Sequence, residues 1–287
     1  MEKMEKFLPF IPVRLLRMMG IDSGKSEGDK VLLGARRDLD VAFMCGGVGQ
    51  SIGDVRDEKD PFASINQVLS YALPAIIKNN GAIEDFKEET FRAVFDVHAE
   101  DALASAISVC ESFSKEGENG RHLAIALTYG TVALGVVGYQ NRMSVISLSD
   151  VTRLGEVLQK KATLFSARIL ITGACASQIP GFETRYNHRL LGMIFRKSTG
   201  TEEKLYDVFD GDEVAVRNLK RKTKTLFERG ISLFLHRQFA EARGCFIEVL
   251  KADRSDKAAR HYLFLCDSNY NLDPAERETV RLYLGEI

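Results

Sequence analysis

The apolar and polar positions divide the chain into a mixed region and a helical region. Up to about residue 212, short apolar or alternating runs typical of strands are interleaved with stretches of helical period. From residue 213 the helical period continues without strand signals. We therefore predict an N-terminal helix and linker over residues 1–38, a main domain over 39–212 and a helical extension over 213–287.

Strand signals in the main domain come mostly in pairs. Residues 82–86 and 91–95 alternate apolar and polar positions around a polar turn, which predicts a hairpin with one buried face. The apolar runs 123–129 and 132–137 flank Gly130 and are predicted as a second strand pair. Further strands are predicted at 39–44, 143–148 and 168–172. Such strands, interleaved with helices, indicate an α+β fold with helices on one face of a largely antiparallel sheet.

Helices are predicted at residues 13–19, 61–78, 99–113 and 150–163. In the extension, residues 227–246 have the spacing of small and aromatic side chains typical of a tetratricopeptide helix pair, and residues 257–266 predict a further helix. One such unit cannot bury its own apolar face. We therefore expect the extension to pack on the main domain or on a partner.

Charge, cysteine content and hydropathy indicate which partners and which cellular compartment the chain fits. The 39 basic and 40 acidic side chains give a formal charge of -1. The net charge therefore creates no overall electrostatic attraction to nucleic acid or to an anionic membrane. The five cysteines are dispersed and form no C-x-x-C pair, which argues against a disulfide framework or a zinc site. The apolar stretch 123–139 is interrupted by glycines and too short for a membrane helix. We predict a cytoplasmic protein with no targeting signal and no membrane span.

Several separated motifs carry a family resemblance. Residues 130–143 read GTVALGVVGYQNRM, a glycine-spaced segment that ends in an Arg-Met pair, and Leu148-Ser149-Asp150 follows. Residues 10–12, near the start, read FIP. In this order and spacing, residues 40–209 resemble the catalytic domain of the class III adenylate/guanylate cyclases. The resemblance implies a ferredoxin-like cyclase homology domain, an antiparallel-rich sheet covered by helices, with the all-α extension of bacterial members.

The resemblance also locates the two aspartates with which the family binds divalent metals. The motif F-x-D-I at the end of the first strand falls on residues 43–46, which puts the thiol of Cys45 at the first metal position. The hairpin motif K-x-x-G-D falls on residues 85–89, which puts Glu89 at the second. Because Mg²⁺ prefers hard oxygen ligands, we expect no metal cofactor. Mg²⁺ or Mn²⁺ would bind only if Glu89 and a shifted set of ligands rebuilt the site.

The family's nucleotide-binding positions are changed as well. The base-recognition lysine falls on Asp85, and its polar companion falls on Ile146, which cannot hydrogen-bond a purine. The family's Asn and Arg, which orient the ribose and stabilise charge on the phosphates, fall on Arg153 and Val157. Lys197 stands where the family keeps a phosphate-binding lysine.

These substitutions together predict a catalytically inactive, cyclase-like protein that acts in signalling. The chain lacks both the metal half and the Asn/Arg half of the site, so it does not fit a complementing subunit of a heterodimeric cyclase. We expect a homodimer, or a heterodimer with another cyclase-like domain, and a protein partner bound through the C-terminal helices. Two alternatives stay open. One is a weak or atypical cyclase that makes cyclic AMP or cyclic GMP with Glu89, and the other is a sensor that binds a ligand through Lys197 and Arg153.

Two further features have competing interpretations. Cys45 ends a predicted strand beside a glycine-rich loop, and a buried, inert thiol is favoured over a redox sensor. The basic run at residues 220–224 lies on a predicted helix, where a solvated face is favoured over a phosphate-binding site.

Overall fold

The computed structural model describes residues 12–21, 33–49, 61–115, 121–139, 142–197, 199–270, 272 and 283–286. In this part of the chain the strands are β1 (Arg36–Gly49), β2 (Ala82–Lys87), β3 (Thr90–Phe95), β4 (His122–Tyr139), β5 (Arg142–Leu148), β6 (Ile169–Thr172), β7 (His188–Arg196), β8 (Thr201–Val208) and β9 (Tyr283–Glu286). The helices are α1 (Val13–Met18), α2 (Pro61–Lys78), α3 (Ala99–Lys115), α4 (Asp150–Phe165), α5 (Gly173–Ser177), α6 (Phe182–Arg185), α7 (Val214–Leu235), α8 (Phe239–Ala252) and α9 (Lys257–Tyr270).

The described strands form one sheet in the order β2-β3-β1-β4-β6-β8-β7-β9, with β5 also paired to β4. Neighbours are antiparallel except for β4 with β6 and β7 with β9, which are parallel. The predicted first hairpin is confirmed as β2–β3, with Lys87 opposite Thr90. The bounds of α2 are also those predicted. The chain therefore has a mixed fold built on a mostly antiparallel sheet.

Helices cover both faces of this sheet, whereas the sequence predicted helices on one face. α2 and α3 pack on one face, and α1, α4 and the C-terminal helices pack on the other. The cause lies in β4, where residues 123–127 are all buried. Because successive side chains of a strand point to opposite faces, such a run needs apolar cover on both sides.

The predicted strand pair around Gly130 is wrong, because β4 is one continuous strand. Both halves pair with β1 in an unbroken register, from Arg36 opposite Gly135 to Gly49 opposite His122. Gly130 has a φ of +152°, and a Cβ there would come within 2.8 Å of a methyl carbon of Val151. The glycine therefore lets α4 pack closely on the strand instead of ending it.

The C-terminal helices pack on the sheet, and their apolar side chains join those of the main domain. Phe227 of α7 lies in one cluster with Leu191 of β7 and Leu205 of β8. Within the helices, Gly230 faces Phe246, whose ring a Cβ at Gly230 would approach to 2.8 Å. The main domain thus covers an apolar face of the extension.

A buried ion network also joins the extension to the sheet. Arg189 Nε of β7 lies 3.0 Å from Asp207 of β8, and its Nη1 lies 2.5 Å from Asp256, which precedes α9. Lys220 Nζ of α7 lies 2.9 Å from Asp207 and 2.7 Å from Asp212. Burial opposes the charge of Lys220, but the two aspartates outweigh it and raise the pKa of Lys220. The favoured solvated-face interpretation of the basic run is therefore wrong at Lys220, which belongs to the core.

The sheet extends beyond the limits predicted for the main domain. β1 begins at Arg36, inside the segment assigned to the linker. After α9 the chain returns to the sheet as β9, where Met193 of β7 lies opposite Tyr283. The region 213–287 is therefore not all helical, and a boundary near 212 stays a prediction. None of the helices in the described ranges is long and apolar enough to cross a membrane.

Candidate functional site

The candidate site lies where β1, the β2–β3 hairpin and the start of α2 meet. Glu89, in the hairpin turn, contacts Ser64 in the first turn of α2. Arg92 of β3 lies opposite Cys45 of β1 and contacts Glu156 of α4. The hairpin therefore sends side chains to both faces of the sheet, and the family positions are divided between them.

Cys45 lies inside β1 and not at the end of the strand, where the sequence placed it. Its pairing partners are Arg92 of β3 and Ala126 of β4, and only 4% of its surface is exposed. Burial raises the pKa of Cys45 to about 12, so the side chain is a neutral thiol at physiological pH. A neutral, buried thiol is a poor metal ligand and a poor nucleophile, which supports the inert interpretation.

The carboxylate of Glu89 is bound by groups of the protein. Arg121 Nη2 donates to Glu89 Oε1 at 2.9 Å, and the Ser64 hydroxyl donates to the same oxygen. The side chains of Glu89 and Arg121 are only 12% and 21% exposed. The guanidinium of Arg121 also lies 6.0 Å from the centre of the Phe113 ring. A cation of the protein itself therefore neutralises the carboxylate that stands at the second metal position.

Asp85, at the base-recognition position, is bound by Arg92 on the neighbouring strand. Arg92 donates to both oxygens of Asp85, at 2.8 and 2.6 Å, and to Glu156 of α4 at 2.8 Å. The hydrogen bonds with Asp85 outweigh burial and raise the pKa of Arg92. This cluster joins the hairpin to α4. It also neutralises the carboxylate of Asp85, which stands in place of the family's lysine.

Glu84 is a buried carboxyl group beside this cluster. Its side chain is 1% exposed, its Oε2 lies 3.7 Å from Arg92 Nε, and its Oε1 accepts the N–H of Ser147 at 2.5 Å. Oε2 has no hydrogen-bond partner among the described residues. Burial raises the pKa of Glu84, against the effects of Ser147 and Arg92. Glu84 therefore joins β2 to β5 as a carboxyl group whose ionised form is disfavoured.

The positions of the family's Asn and Arg lie on α4. This helix begins with a capping box in which the Ser149 hydroxyl accepts the N–H groups of Val151 and Thr152. The Arg153 side chain is 77% exposed and lies 3.5 Å from Asp150. Val157, one turn further on, is half-buried. An apolar side chain therefore stands where the family has its charge-stabilising arginine.

The remaining positions lie at different places in the sheet. Ile146 is half-buried in β5, opposite Gly135. The hydrogen bond between Glu84 and Ser147 joins β5 to β2, which carries Asp85. Lys197 is exposed and directly follows β7, on the other side of β4 in the strand order. The strands of Ile146 and Asp85 are thus joined, whereas Lys197 lies on a different part of the sheet.

A known protein and several solved structures are similar to this chain. A scan against models of protein families gave no match. The chain is 25% identical over 245 residues to an adenylate cyclase of Dictyostelium discoideum described as terminal-differentiation specific. That alignment covers 79% of this chain and 12% of the Dictyostelium protein, so the chain spans only a small part of this relative.

Solved structures show the same architecture. A bacterial light-regulated adenylyl cyclase superposes with a TM-score of 0.57 at 13% identity, over 74% of this chain and 63% of that chain. The guanylate cyclase domain of RhGC from Catenaria anguillulae, in complex with GTP, gives 0.50 at 16% identity, over 60% of this chain and 97% of that chain. The chain has the fold of a nucleotidyl cyclase catalytic domain. At these identities the likeness establishes the fold alone.

The described residues at the two metal positions do not fit a pair of divalent cations. Among the described residues, no three His, Cys, Asp or Glu side chains come together as a possible ligand set. Cys45 is a neutral thiol, and Glu89 is already paired with Arg121. Mg²⁺ requires near-octahedral oxygen ligands, and these positions offer a thiol and one carboxylate that is paired with an arginine.

The sequence did not single out Arg92, Arg121 or Glu84. The Asp85–Arg92 pair could have been predicted from the sequence. A hairpin with Lys87 opposite Thr90 also places Asp85 opposite Arg92. The contact of Arg121 with Glu89 could not have been predicted, because the two residues are 32 positions apart and meet only in the folded chain.

Proposed function

We propose that this chain is a nucleotidyl cyclase-like domain that does not cyclise nucleotides and acts in signalling by dimerisation or by binding a protein partner. The ion pair between Glu89 and Arg121, 2.9 Å long, carries the proposal, because it neutralises the carboxylate at the second metal position. The buried thiol of Cys45 at the first position supports it. Without the metal ligands, a ribose hydroxyl cannot be activated in the manner of the family.

The test is a mass-spectrometric measurement of cyclic AMP and cyclic GMP. The chain of residues 1–287 is incubated with ATP or GTP and excess Mg²⁺ or Mn²⁺, beside its Glu89→Ala variant and an active nucleotidyl cyclase that sets the detection limit. We expect no product above the Glu89→Ala control. Product that disappears with Glu89→Ala would contradict the proposal and establish an atypical cyclase that uses this carboxylate.

Dimerisation is supported by an apolar patch on the β4–β5 hairpin. Val137, Tyr139 and Leu148 are 44%, 76% and 65% exposed. They share one face of the hairpin, because Val137 pairs with Ser144 and Ala133 pairs with Leu148. Several exposed apolar side chains on one face of a hairpin are a feature of protein interfaces. We propose that this patch joins two copies of the chain, or the chain and another cyclase-like domain.

Sedimentation velocity tests the homodimer. We expect the wild-type chain to associate with increasing concentration and Tyr139→Ser to shift it toward monomer. Leu164→Ser is a matched control, since Leu164 is 53% exposed on α4 and lies outside the patch. Equal effects of the two substitutions would contradict a specific interface at the hairpin.

The C-terminal helices are proposed as a tetratricopeptide-like docking unit for a protein partner. The close packing of Gly230 against Phe246 supports the helix pair. α9 also carries two exposed aromatic side chains, Phe264 at 67% and Tyr270 at 54%. Aromatic side chains are enriched at protein interfaces, which supports a docking role for this helix.

The cysteines support a cytoplasmic location. All five lie in the described part of the chain, are buried and form no disulfide there. Reduced thiols persist in a reducing compartment, where disulfides are rare.

A further inference from the structure

The C-terminal strand β9 occupies an edge of the sheet. It lies parallel to β7, with Met193 opposite Tyr283 and Phe195 opposite Glu286, and a register shift separates these pairs. β7 pairs with β8 on its other side, so β9 covers the backbone groups that β7 would otherwise present at an edge. An open strand edge is a template for another strand.

A socket beside Gly192 receives the side chain of Leu284. Gly192 has a φ of +152°, and a Cβ there would come within 2.4 Å of the Tyr262 hydroxyl and 3.1 Å of Leu284 Cδ1. The Tyr262 hydroxyl donates to the carbonyl of Leu191 at 2.5 Å, which fixes the ring of α9 beside the bulge in β7. Leu284 packs against the apolar cluster shared by the main domain and the C-terminal helices. The absence of a side chain at Gly192 therefore makes room for an aliphatic side chain from the added strand.

A cation from a third element fixes the backbone of the added strand. Lys161 of α4 donates from Nζ to the carbonyl oxygen of Leu284 at 2.8 Å. One short segment is thus held in two ways. The edge of β7 and the ammonium of Lys161 bind its backbone, and the socket at Gly192 receives one side chain. Strand-addition sites bind extended peptides by this combination.

We propose that this edge is a binding site for an extended peptide segment with a leucine-sized side chain, and that residues 283–286 occupy it within the same chain. The described part of the occupying strand is four residues long, from Tyr283 to Glu286. Its attachment to α9 through residues 271–282 makes binding intramolecular, which raises the effective concentration of the segment. A free peptide with the same features is therefore expected to bind only when this internal segment is displaced. The inference does not depend on whether the domain is catalytic.

The test uses the chain of residues 1–287 and a fluorescent peptide of residues 279–287, TVRLYLGEI. Leu284→Ser in the protein removes the anchor of the internal segment and leaves the site intact. We expect this variant to bind the peptide saturably in fluorescence anisotropy, and the wild-type chain to bind it at least about tenfold more weakly, because its own segment competes. A peptide that carries Leu284→Ser is expected not to bind.

Two further variants locate the binding. In the Leu284→Ser background, Lys161→Met is expected to weaken peptide binding, and Lys160→Met, at the exposed neighbouring position, is expected to leave it unchanged. Hydrogen exchange of the β7 amides should be faster in Leu284→Ser than in the wild type, and should slow when the peptide is added. Absence of peptide binding by a folded Leu284→Ser chain would overturn the proposal. A wild-type dimer that Leu284→Ser abolishes would overturn occupancy within one chain and indicate exchange of the segment between copies.

Discussion

At the scale of single residues, ion pairs fix the charged side chains of the candidate site. Arg121 binds Glu89, and Arg92 binds Asp85 and Glu156. In a catalytic cyclase domain, the charged side chains at the corresponding positions bind the metal ions and the nucleotide. Here the charges satisfy one another, and the hairpin is fixed to α2 and α4 as a result.

Replacement of Glu84 by Gln should stabilise the protein more at pH 7.5 than at pH 4. Burial raises the pKa of Glu84 above its ordinary value near 4.5, so its ionisation costs folding free energy as the pH rises through the folded-state pKa. Gln keeps an oxygen that can accept the Ser147 N–H and carries no charge. Urea unfolding of the two proteins at both pH values measures the difference.

Glu156→Gln is the matched control for this prediction. Glu156 also contacts Arg92, but its side chain is 42% exposed, and we expect a change in unfolding free energy below about 0.5 kcal/mol. A Glu84→Gln effect that is the same at both pH values would contradict the account of Glu84.

His122 should make the protein sensitive to mild acid. Its Nε2 lies 3.2 Å from the carbonyl oxygen of Ala167, and burial lowers the pKa of His122 to about 4. Because the unfolded chain binds a proton at higher pH than the folded chain, stability is lost as the pH falls from about 6.5 toward 4. Unfolding free energies at pH 7, 6, 5 and 4.5 should fall less steeply in His122→Gln than in the wild type. His236→Gln, at an exposed position, should reproduce the wild-type slope, and equal slopes for all three proteins would refute the assignment.

At the scale of elements, the sequence predicted those whose signals are local and failed for those that depend on pairing with a distant strand. The β2–β3 hairpin and α2 were predicted correctly because turn and cap signals lie within the segments themselves. The division of β4 at Gly130 was wrong because its continuity depends on pairing with β1, which is distant in sequence. β9 was missed because four residues carry too little pattern to outweigh the preceding helices.

The buried ion network at the base of the C-terminal helices should be sensitive to the loss of one charge. In Asp256→Asn the side-chain oxygen can still accept the N–H of Ala259 and cap α9, but Arg189, which is fully buried, loses a counter-charge. Removal of one partner of a buried ion pair typically costs about 3 kcal/mol or more, and we expect a loss of that order in urea unfolding. The exposed pair Arg243–Asp267 supplies the control, and Asp267→Asn should cost below about 1 kcal/mol. Similar losses in the two variants would argue against a structural role for the network.

At the scale of the whole molecule, the sequence predicted the architecture better than the site. Alternating and helical periods indicated an α+β domain and the helices that follow it, and the resemblance carried by the glycine motif indicated a cyclase-like fold. The residues at the family positions were located by resemblance, but their partners were not, because Arg121 and Arg92 act through tertiary contacts. The same holds for Lys220, whose position in a basic run suggested solvent although its charge is buried against two aspartates.

Binding of Mn²⁺ to the chain of residues 1–287, followed by the electron paramagnetic resonance signal of free Mn²⁺, tests whether the metal site has been lost. We predict no saturable site tighter than about 1 mM, and titrations of the wild type and Glu89→Ala that superimpose, because Arg121 already neutralises Glu89. Saturable binding by the wild type that Glu89→Ala abolishes would contradict this prediction, since it would show that the metal site persists.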